Sequence, residues 1–66
     1  MMLIWINQQS HEMPLGATLQ DAIHLVNIAA PFAAALNQEF VAKTLYAQTL
    51  LKDQDKIELI VPITGG

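Results

Sequence analysis

The sequence predicts an α+β domain in which one helix packs on one face of a mixed β-sheet. Apolar runs of strand length lie near both ends of the chain, one amphipathic helical stretch lies between them, and polar turn residues separate them. A chain of 66 residues has room for one domain with a small core. Its 53 % apolar and 14 % charged residues are typical of a packed protein. We therefore expect one domain over residues 1–61 and a flexible tail over residues 62–66.

The first elements predicted are two strands that form a hairpin. Residues 1–7, MMLIWIN, are almost all apolar and predict a buried strand. The polar residues 8–10, QQS, predict a turn, and residues 11–14, HEMP, predict a short strand that returns beside the first.

An amphipathic helix is predicted next. Thr18 is a favourable N-cap residue, and Asp21 lies at the capping-box position, where its charge also suits the positive helix end. The helix should end before Pro31, because proline disfavours helical geometry in its predecessor. On a helical wheel one side holds Gln20, Asp21, His24 and Asn27, and the other holds Leu19, Ala22, Ile23, Val26 and Ala29.

The second half of the chain predicts three further strands. The strands are FAAALN over residues 32–37, a short return strand over residues 39–41 and a final strand over residues 56–61. A tight turn at Asn37–Gln38 separates the first two, and a polar turn KDQD over residues 52–55 precedes the last. Residues 42–51 between them fit a short helical turn or irregular coil equally well. One helix on a mixed sheet of this element order is the β-grasp architecture, the fold of ubiquitin.

Alternation in the last strand indicates which sheet face the helix covers. Ile57, Leu59 and Val61 share one face, whereas Glu58 and Ile60 share the other, and the charge of Glu58 marks the uncovered face. In the other strands the same reasoning places Ile4, Ile6, Phe32, Ala34 and Leu36 inward and Leu3, Trp5, Ala33 and Ala35 outward.

The uncovered face is a candidate protein interface. We expect Trp5, Leu3 and Ile60 to lie exposed there around small alanines, and an exposed apolar patch of this kind usually marks a binding surface. If the strand phases are shifted by one residue, Trp5 belongs to the core instead.

The composition excludes or disfavours several function classes. Without cysteine there are no disulfides, thiolate metal sites or cysteine nucleophile. A net charge of -3 with no arginine argues against nucleic-acid binding and suits a partner with a positive docking surface. Residues 1–7 lack the charged region of a signal peptide, and the longest apolar stretch, residues 28–36, is too short to span a bilayer. We expect a cytoplasmic protein, monomeric when free.

The polar residues predict no catalytic or metal site within the chain. Ser10 and His11 are neighbours on a strand, so their side chains point to opposite faces and cannot share a proton. His11, Glu12 and His24 match no metal-ligand spacing, and Gly16 stands alone, without a glycine-rich phosphate loop. The remaining charged residues are expected on the solvated surface, with Lys43 also a possible partner contact: Glu39, Asp53, Asp55, Glu58, Lys43 and Lys52.

The sequence ends on VPITGG, with two of its three glycines last. This ending can arise by chance or as a cloning remnant. Alternatively, the α-carboxylate of Gly66 is the reacting group. It is ionised at neutral pH, since α-carboxyl groups have a pKa of about 3.5. It can then attack the α-phosphate of ATP and form an acyl-adenylate. Gly65 and Thr64 would then thread a narrow channel of a partner enzyme, because glycine has no Cβ. Residues 62–66 could reach roughly 17 Å when extended.

With this tail and element order, the whole sequence resembles the ThiS family of thiamin-pathway sulfur carriers. The resemblance is strongest in ALNQEFV, residues 35–41, and DQDKIELIVPITGG, residues 53–66. Matching positions are Asn37, Val41, Asp55, Ile57, Gly65 and Gly66.

The chain also departs from the family pattern in two places. The family commonly has Val-Pro-Arg before a tryptophan, where this chain has Ala42, Lys43 and Tyr46. Lysine keeps the charge but lacks the bidentate fork of arginine, which puts a partner contact at Lys43 in question. A usual Gly-Asp before the last strand is Gln54–Asp55 here, which questions the turn type rather than the chemistry.

The resemblance implies that a ThiF-type enzyme, using ATP and magnesium, adenylates the carboxylate of Gly66. Sulfur-delivery proteins then supply the sulfur of a thiocarboxylate, and thiazole synthase, ThiG, takes that sulfur. The chain would be a co-substrate rather than an enzyme and would bind no cofactor itself. The alternatives are a MoaD-like small subunit of molybdopterin synthase, although such chains tend to be longer, a ubiquitin-like modifier, or a β-grasp interaction module without carrier chemistry.

Overall fold

The computed structural model describes residues 1–28 and 32–61, which form a five-stranded sheet with one α-helix on one face. The elements in chain order are β1 Met2–Ile6, β2 Gln9–Met13, α1 Leu19–Val26, β3 Ala33–Leu36, β4 Glu39–Val41, a 3₁₀ helix Lys43–Gln48 and β5 Lys56–Ile60. The strand order is β2-β1-β5-β3-β4. The central pair β1 and β5 is parallel and the other pairs are antiparallel, which is the predicted β-grasp fold.

Both hairpins close through a two-residue Asn-Gln turn. Asn7 and Gln8 have φ of 48° and 71°, and Asn37 and Gln38 have φ of 50° and 72°. Positive φ at both central residues matches the twist of the flanking strands, and asparagine tolerates this conformation well. The second turn is where the sequence predicted it. The first starts one residue earlier and is one residue shorter than predicted, so β2 begins at Gln9.

Helix α1 has the predicted start and an earlier end. The Oγ1 of Thr18 accepts a hydrogen bond from the backbone N–H of Asp21 at 3.2 Å, and the Asp21 carboxylate accepts one from the N–H of Thr18 at 2.9 Å. This is the predicted capping box. The helix ends at Val26 because Asn27 adopts a left-handed conformation, with φ of 52°. The helix therefore ends before Pro31, as predicted, and Asn27, which the helical wheel placed on the helix, is its C-cap instead.

The core lies between α1 and the inner face of the sheet, the face that the helix covers. Its buried members are Met2, Ile4, Ile6, Met13, Ala17, Leu19, Ala22, Ile23, Ala34, Tyr46, Leu51, Ile57 and Leu59. The predicted inward residues of β1, β3 and β5 are in this cluster or pack against it, except Val61. That side chain is 48 % exposed because β5 ends one residue before it.

The segment that the sequence left ambiguous forms the 3₁₀ helix. Its only buried residue is Tyr46, whose ring stacks on that of Phe32 with 6.0 Å between the ring centroids. The backbone at the start of α1 also pairs with the segment over residues 42–51: the N–H of Leu19 donates to the carbonyl of Thr49 at 2.8 Å. These contacts tie the helix start to the connection that leads into β5.

Asp55 was predicted on the surface and is buried instead, with 4 % of its area exposed. One carboxylate oxygen accepts from the Asn37 side-chain amide at 3.0 Å, and the other accepts from the backbone N–H of Lys52 at 2.7 Å. The amide oxygen of Asn37 in turn accepts from the N–H of Lys56 at 3.0 Å. Gln54 holds a φ of 74° in this turn, a conformation that glycine adopts at lower cost. The network fixes the start of β5.

Replacing Asp55 with alanine should lower the free energy of unfolding by about 2–3 kcal/mol, because the Asn37 amide and the Lys52 N–H lose a buried charged acceptor. Urea denaturation measures this loss. The matched control is Asp53→Ala, since Asp53 is exposed and accepts from the N–H of Leu3 at the surface. It should lose less than about 1 kcal/mol, and equal losses in the two variants would contradict the buried network.

Candidate functional site

The outer face is the side of the sheet opposite α1, and strand register assigns its residues. Residues directly opposite each other on paired strands share a face. Ile60 lies opposite Ala33, and Glu58 lies opposite Ala35, which in turn faces Phe40 on β4. Ile60 and Glu58 are therefore on the outer face, as predicted. Its full set from β1 to β5 is Leu3, Trp5, Ser10, Glu12, Ala33, Ala35, Phe40, Lys56, Glu58 and Ile60.

Three of these residues form the outer apolar cluster: Ala33, Phe40 and Ile60. Phe40 is 74 % exposed and Ile60 is 46 % exposed. Ala33 is also exposed and lies opposite Ile60. In a domain with so small a core, leaving a phenylalanine and an isoleucine in water on one sheet face is typical of a binding surface. Ala33 and Ile60 lie at the end of β5, from which the chain continues toward Gly66, whereas Phe40 on β4 lies level with Glu58.

Trp5 does not join this cluster, contrary to the predicted patch. In the parallel pairing it lies opposite Lys56, so Ile60 is four residues further along β5, roughly 13 Å away along the strand. Trp5 and Leu3 are half-buried rather than exposed. The alternative that Trp5 belongs to the inner core is also wrong, because inward Ile4 and Ile6 flank it. A groove beside Trp5 is lined by Trp5, Asn7, Gln8, Lys56, Ile57 and Glu58.

The other predicted interface residues have mixed environments. Glu58 is exposed between the groove and the outer apolar cluster, and Lys43 is exposed at the start of the 3₁₀ helix. Ala35 is on the outer face as predicted but only 5 % exposed, since the larger side chains of Glu58 and Phe40 flank it on both neighbouring strands. The tail residues Thr64, Gly65 and Gly66 lie outside the described residues.

Sequence reasoning missed Phe40, although the signal was present. A two-residue turn at Asn37–Gln38 places Leu36 opposite Glu39 and Ala35 opposite Phe40, as observed. Because Ala35 was assigned outward, Phe40 had to point outward as well. The missing step was to carry the register across the predicted turn.

The polar side chains form no reactive constellation within residues 1–28 and 32–61. Ser10 lies opposite Trp5 and His11 opposite Ile4, so the two point to opposite faces as predicted. His24 is exposed on the polar side of α1 and is hydrogen-bonded to Gln20 at 2.8 Å. In the same ranges no three His, Asp or Glu side chains converge as a metal site, and no helix is long and apolar enough to cross a membrane.

The described residues define a small β-grasp protein with exposed apolar side chains on the outer face of its sheet, one of them at the end of β5. The family model of the ThiS family matches residues 4–66. The chain therefore belongs to the ThiS family, a family of small sulfur carrier proteins of thiamin biosynthesis.

A solved structure supports the fold. The chain is similar to the crystal structure of the thiamine biosynthesis protein ThiS from Geobacter metallireducens, with a TM-score of 0.81 and 19 % sequence identity over 98 % of this chain and 100 % of that one. No curated protein sequence is detectably similar to this one.

Replacing Ile60 with aspartate should change the free energy of unfolding by only about half a kcal/mol, because an exposed position tolerates a polar side chain. The control is Ile57→Ala on the same strand. Ile57 is 1 % exposed in the core, so its truncation should cost about 2–5 kcal/mol. Chemical denaturation of both variants measures the difference, and a loss of several kcal/mol in Ile60→Asp would place Ile60 in the core.

Proposed function

We propose that this chain carries sulfur as a thiocarboxylate on Gly66 and donates it to thiazole synthase, ThiG. The observation that carries the proposal is the family match, which extends through the terminal Gly65–Gly66 pair. The position of the outer apolar cluster beside the strand that leads into this pair supports it.

The chemistry starts with activation of an unreactive carboxylate. In a ThiF-type partner, a carboxylate oxygen of Gly66 attacks the α-phosphorus of ATP, and the bond to pyrophosphate breaks. Magnesium held by that partner neutralises the phosphate charge. A sulfur nucleophile of the hydrosulfide class then attacks the acyl carbon, and AMP leaves with its bonding electron pair. The product is the thiocarboxylate, and the chain has served as a co-substrate of its partners.

The two terminal glycines suit this reaction because they add no side chain beside the reacting carbon. A tail that enters the active site of another enzyme needs clearance along its whole length, and glycine has no Cβ. Gly65 therefore provides clearance, whereas Gly66 provides the reacting atom. Thr64 is the first residue before this pair with a side chain that the channel must admit.

Docking of the outer face on the adenylating partner would bring the C-terminal residues to the active site of that partner. Phe40 and Ile60 supply exposed apolar area, and aromatic and aliphatic side chains at the centre of an interface usually carry most of the binding energy. Glu58 and the net charge of -3 favour a partner whose rim is positively charged. Because Ile60 is the last residue of β5, a partner bound here holds the root of the tail.

Deletion of Gly66 should abolish adenylation while leaving the thermal midpoint unchanged. The deletion moves the carboxylate back by up to roughly 3.6 Å, and a preorganised site tolerates a displacement of only about 0.5 Å. Addition of one residue after Gly66 should have the same effect, because it converts the carboxylate into an amide. ATP–pyrophosphate exchange with the adenylating partner measures the first step, and the intact mass measures the replacement of oxygen by sulfur.

The control for this experiment is Gly65→Val, which keeps the carboxylate in place. A β-branched side chain crowds the channel and restricts the backbone, so the exchange should be slowed rather than abolished. Full exchange activity in the Gly66 deletion would refute the carrier function and leave a β-grasp interaction module. Sulfur transfer to a molybdopterin precursor but not to thiazole synthase would identify a MoaD-like subunit instead.

The variants Phe40→Ser and Ile60→Asp should each weaken binding of the adenylating partner by about tenfold or more, because each removes exposed apolar area from the outer apolar cluster. Titration calorimetry with the partner measures the dissociation constant. Leu25→Ser is the matched control, since Leu25 is 52 % exposed on α1, on the opposite side of the molecule. Equal weakening by the control would contradict docking through the outer face.

A further inference from the structure

Strand β5 extends beyond the end of its parallel neighbour β1. The two strands pair at Trp5 with Lys56 and at Ile6 with Ile57, where β1 ends. The N–H of Asn7 still donates to the carbonyl of Ile57 at 2.9 Å, and then the chain turns away into β2. Alternate residues of a strand direct their backbone groups to the same edge. Leu59 therefore directs its N–H and C=O, like Ile57, to the edge of β5 that β1 no longer covers.

The side chain of Asn7 satisfies both of these backbone groups. Its amide oxygen accepts from the N–H of Leu59 at 2.9 Å, and its amide nitrogen donates to the carbonyl of Leu59 at 3.3 Å. The orientation of the amide follows from the chemistry, since a backbone N–H must meet an acceptor and a carbonyl must meet a donor. The Asn7 side chain thus replaces one further residue of β1 in the ladder. An aspartate could accept from Leu59 but could not donate to it.

The left-handed turn is what allows this contact. Asn7 has φ of 48°, and Asn37 in the other hairpin has φ of 50°. The Asn37 side chain binds the opposite end of β5, where its oxygen accepts from the N–H of Lys56. Each turn asparagine therefore holds one end of β5, Asn37 at the start and Asn7 at the end that leads to the tail.

We propose that Asn7 is a positioning residue for the chemistry at Gly66. The pairing of β3 with Glu58 and Ile60 already holds one edge of this end of β5, and Asn7 pairs the other edge at Leu59, so that the end of β5 is less free to fray when the residues after it enter a partner's active site. Fraying of this end of β5 adds conformations that are lost again when the reacting end of the chain is positioned. This role rests on the proposed carrier function. Docking through the outer face sets KM, whereas the fraction of docked complexes with a correctly threaded tail sets kcat.

The test compares Asn7→Gly with Asn37→Gly in adenylation by the partner enzyme. Glycine keeps the positive φ that both turns need, so each variant loses the side-chain hydrogen bonds without strain in the turn. We expect Asn7→Gly to lower kcat about fivefold or more with KM changed less than about twofold, since a displaced reacting group lowers the rate of a bound complex. Asn37→Gly should leave kcat within about twofold at temperatures well below its unfolding midpoint, because its contacts lie at the other end of the strand.

Hydrogen exchange gives a readout that does not depend on the partner. In Asn7→Gly the amide of Leu59 should exchange about tenfold faster or more, whereas the amide of Glu58, which faces β3, should be unchanged. In Asn37→Gly the amide of Leu59 should not be selectively accelerated relative to Glu58.

The outcomes separate the two proposals. Unchanged exchange at Leu59 would refute the anchoring by Asn7. A rise in KM at constant kcat would show that Asn7 acts by contacting the partner through the groove beside Trp5, and an equal fall in kcat in both variants would show a general loss of stability; either result overturns the positioning role. If the unmodified protein is not adenylated at all, the carrier function fails and the positioning role fails with it, while the exchange data still decide whether Asn7 anchors Leu59.

Discussion

The central position of β5 is the constraint on which the rest of the structure depends. The strand pairs with β1 on one side and with β3 on the other, so among residues 1–28 and 32–61 it is the strand that joins the two hairpins. Its alternation directs Ile57 and Leu59 into the core and Glu58 and Ile60 into solvent. Because the same strand leads into residues 62–66, it connects the core, the exposed outer face and the proposed reactive end of the chain.

The two sheet faces contribute differently to the stability of the domain. A domain of this size has few side chains with which to form a core, so nearly every inward position must be apolar and well packed. The outer face contributes little to that packing and is free to expose Phe40 and Ile60. Substitutions on the two faces of one strand therefore act on different properties, and the alternation of β5 makes neighbouring residues of the same strand suitable controls for each other.

Side-chain amides and one buried carboxylate complete the backbone pairing where the strands end. β5 is longer than its contact with β1, and its start lies in a turn, so both of its ends carry backbone groups without a strand partner. Asn7 and Asn37 bind these groups, and Asp55 binds the Asn37 amide. An unpaired polar backbone group in a partly buried position is costly, so these few residues matter more than their exposure or their position in turns indicates.

Local sequence determined the elements and much of their orientation. The capping box of Thr18 and Asp21, the turn at Asn37–Gln38 and the alternation in β5 depend on residues close in the chain, and all three were predicted. Tertiary structure decided what depends on distant partners. The burial of Asp55 requires Asn37, the separation of Trp5 from Ile60 requires the register of β1 on β5, and the anchoring of Leu59 requires Asn7. In each case the residues are distant in sequence, and only the register of the folded sheet decides which of them meet and which stay apart.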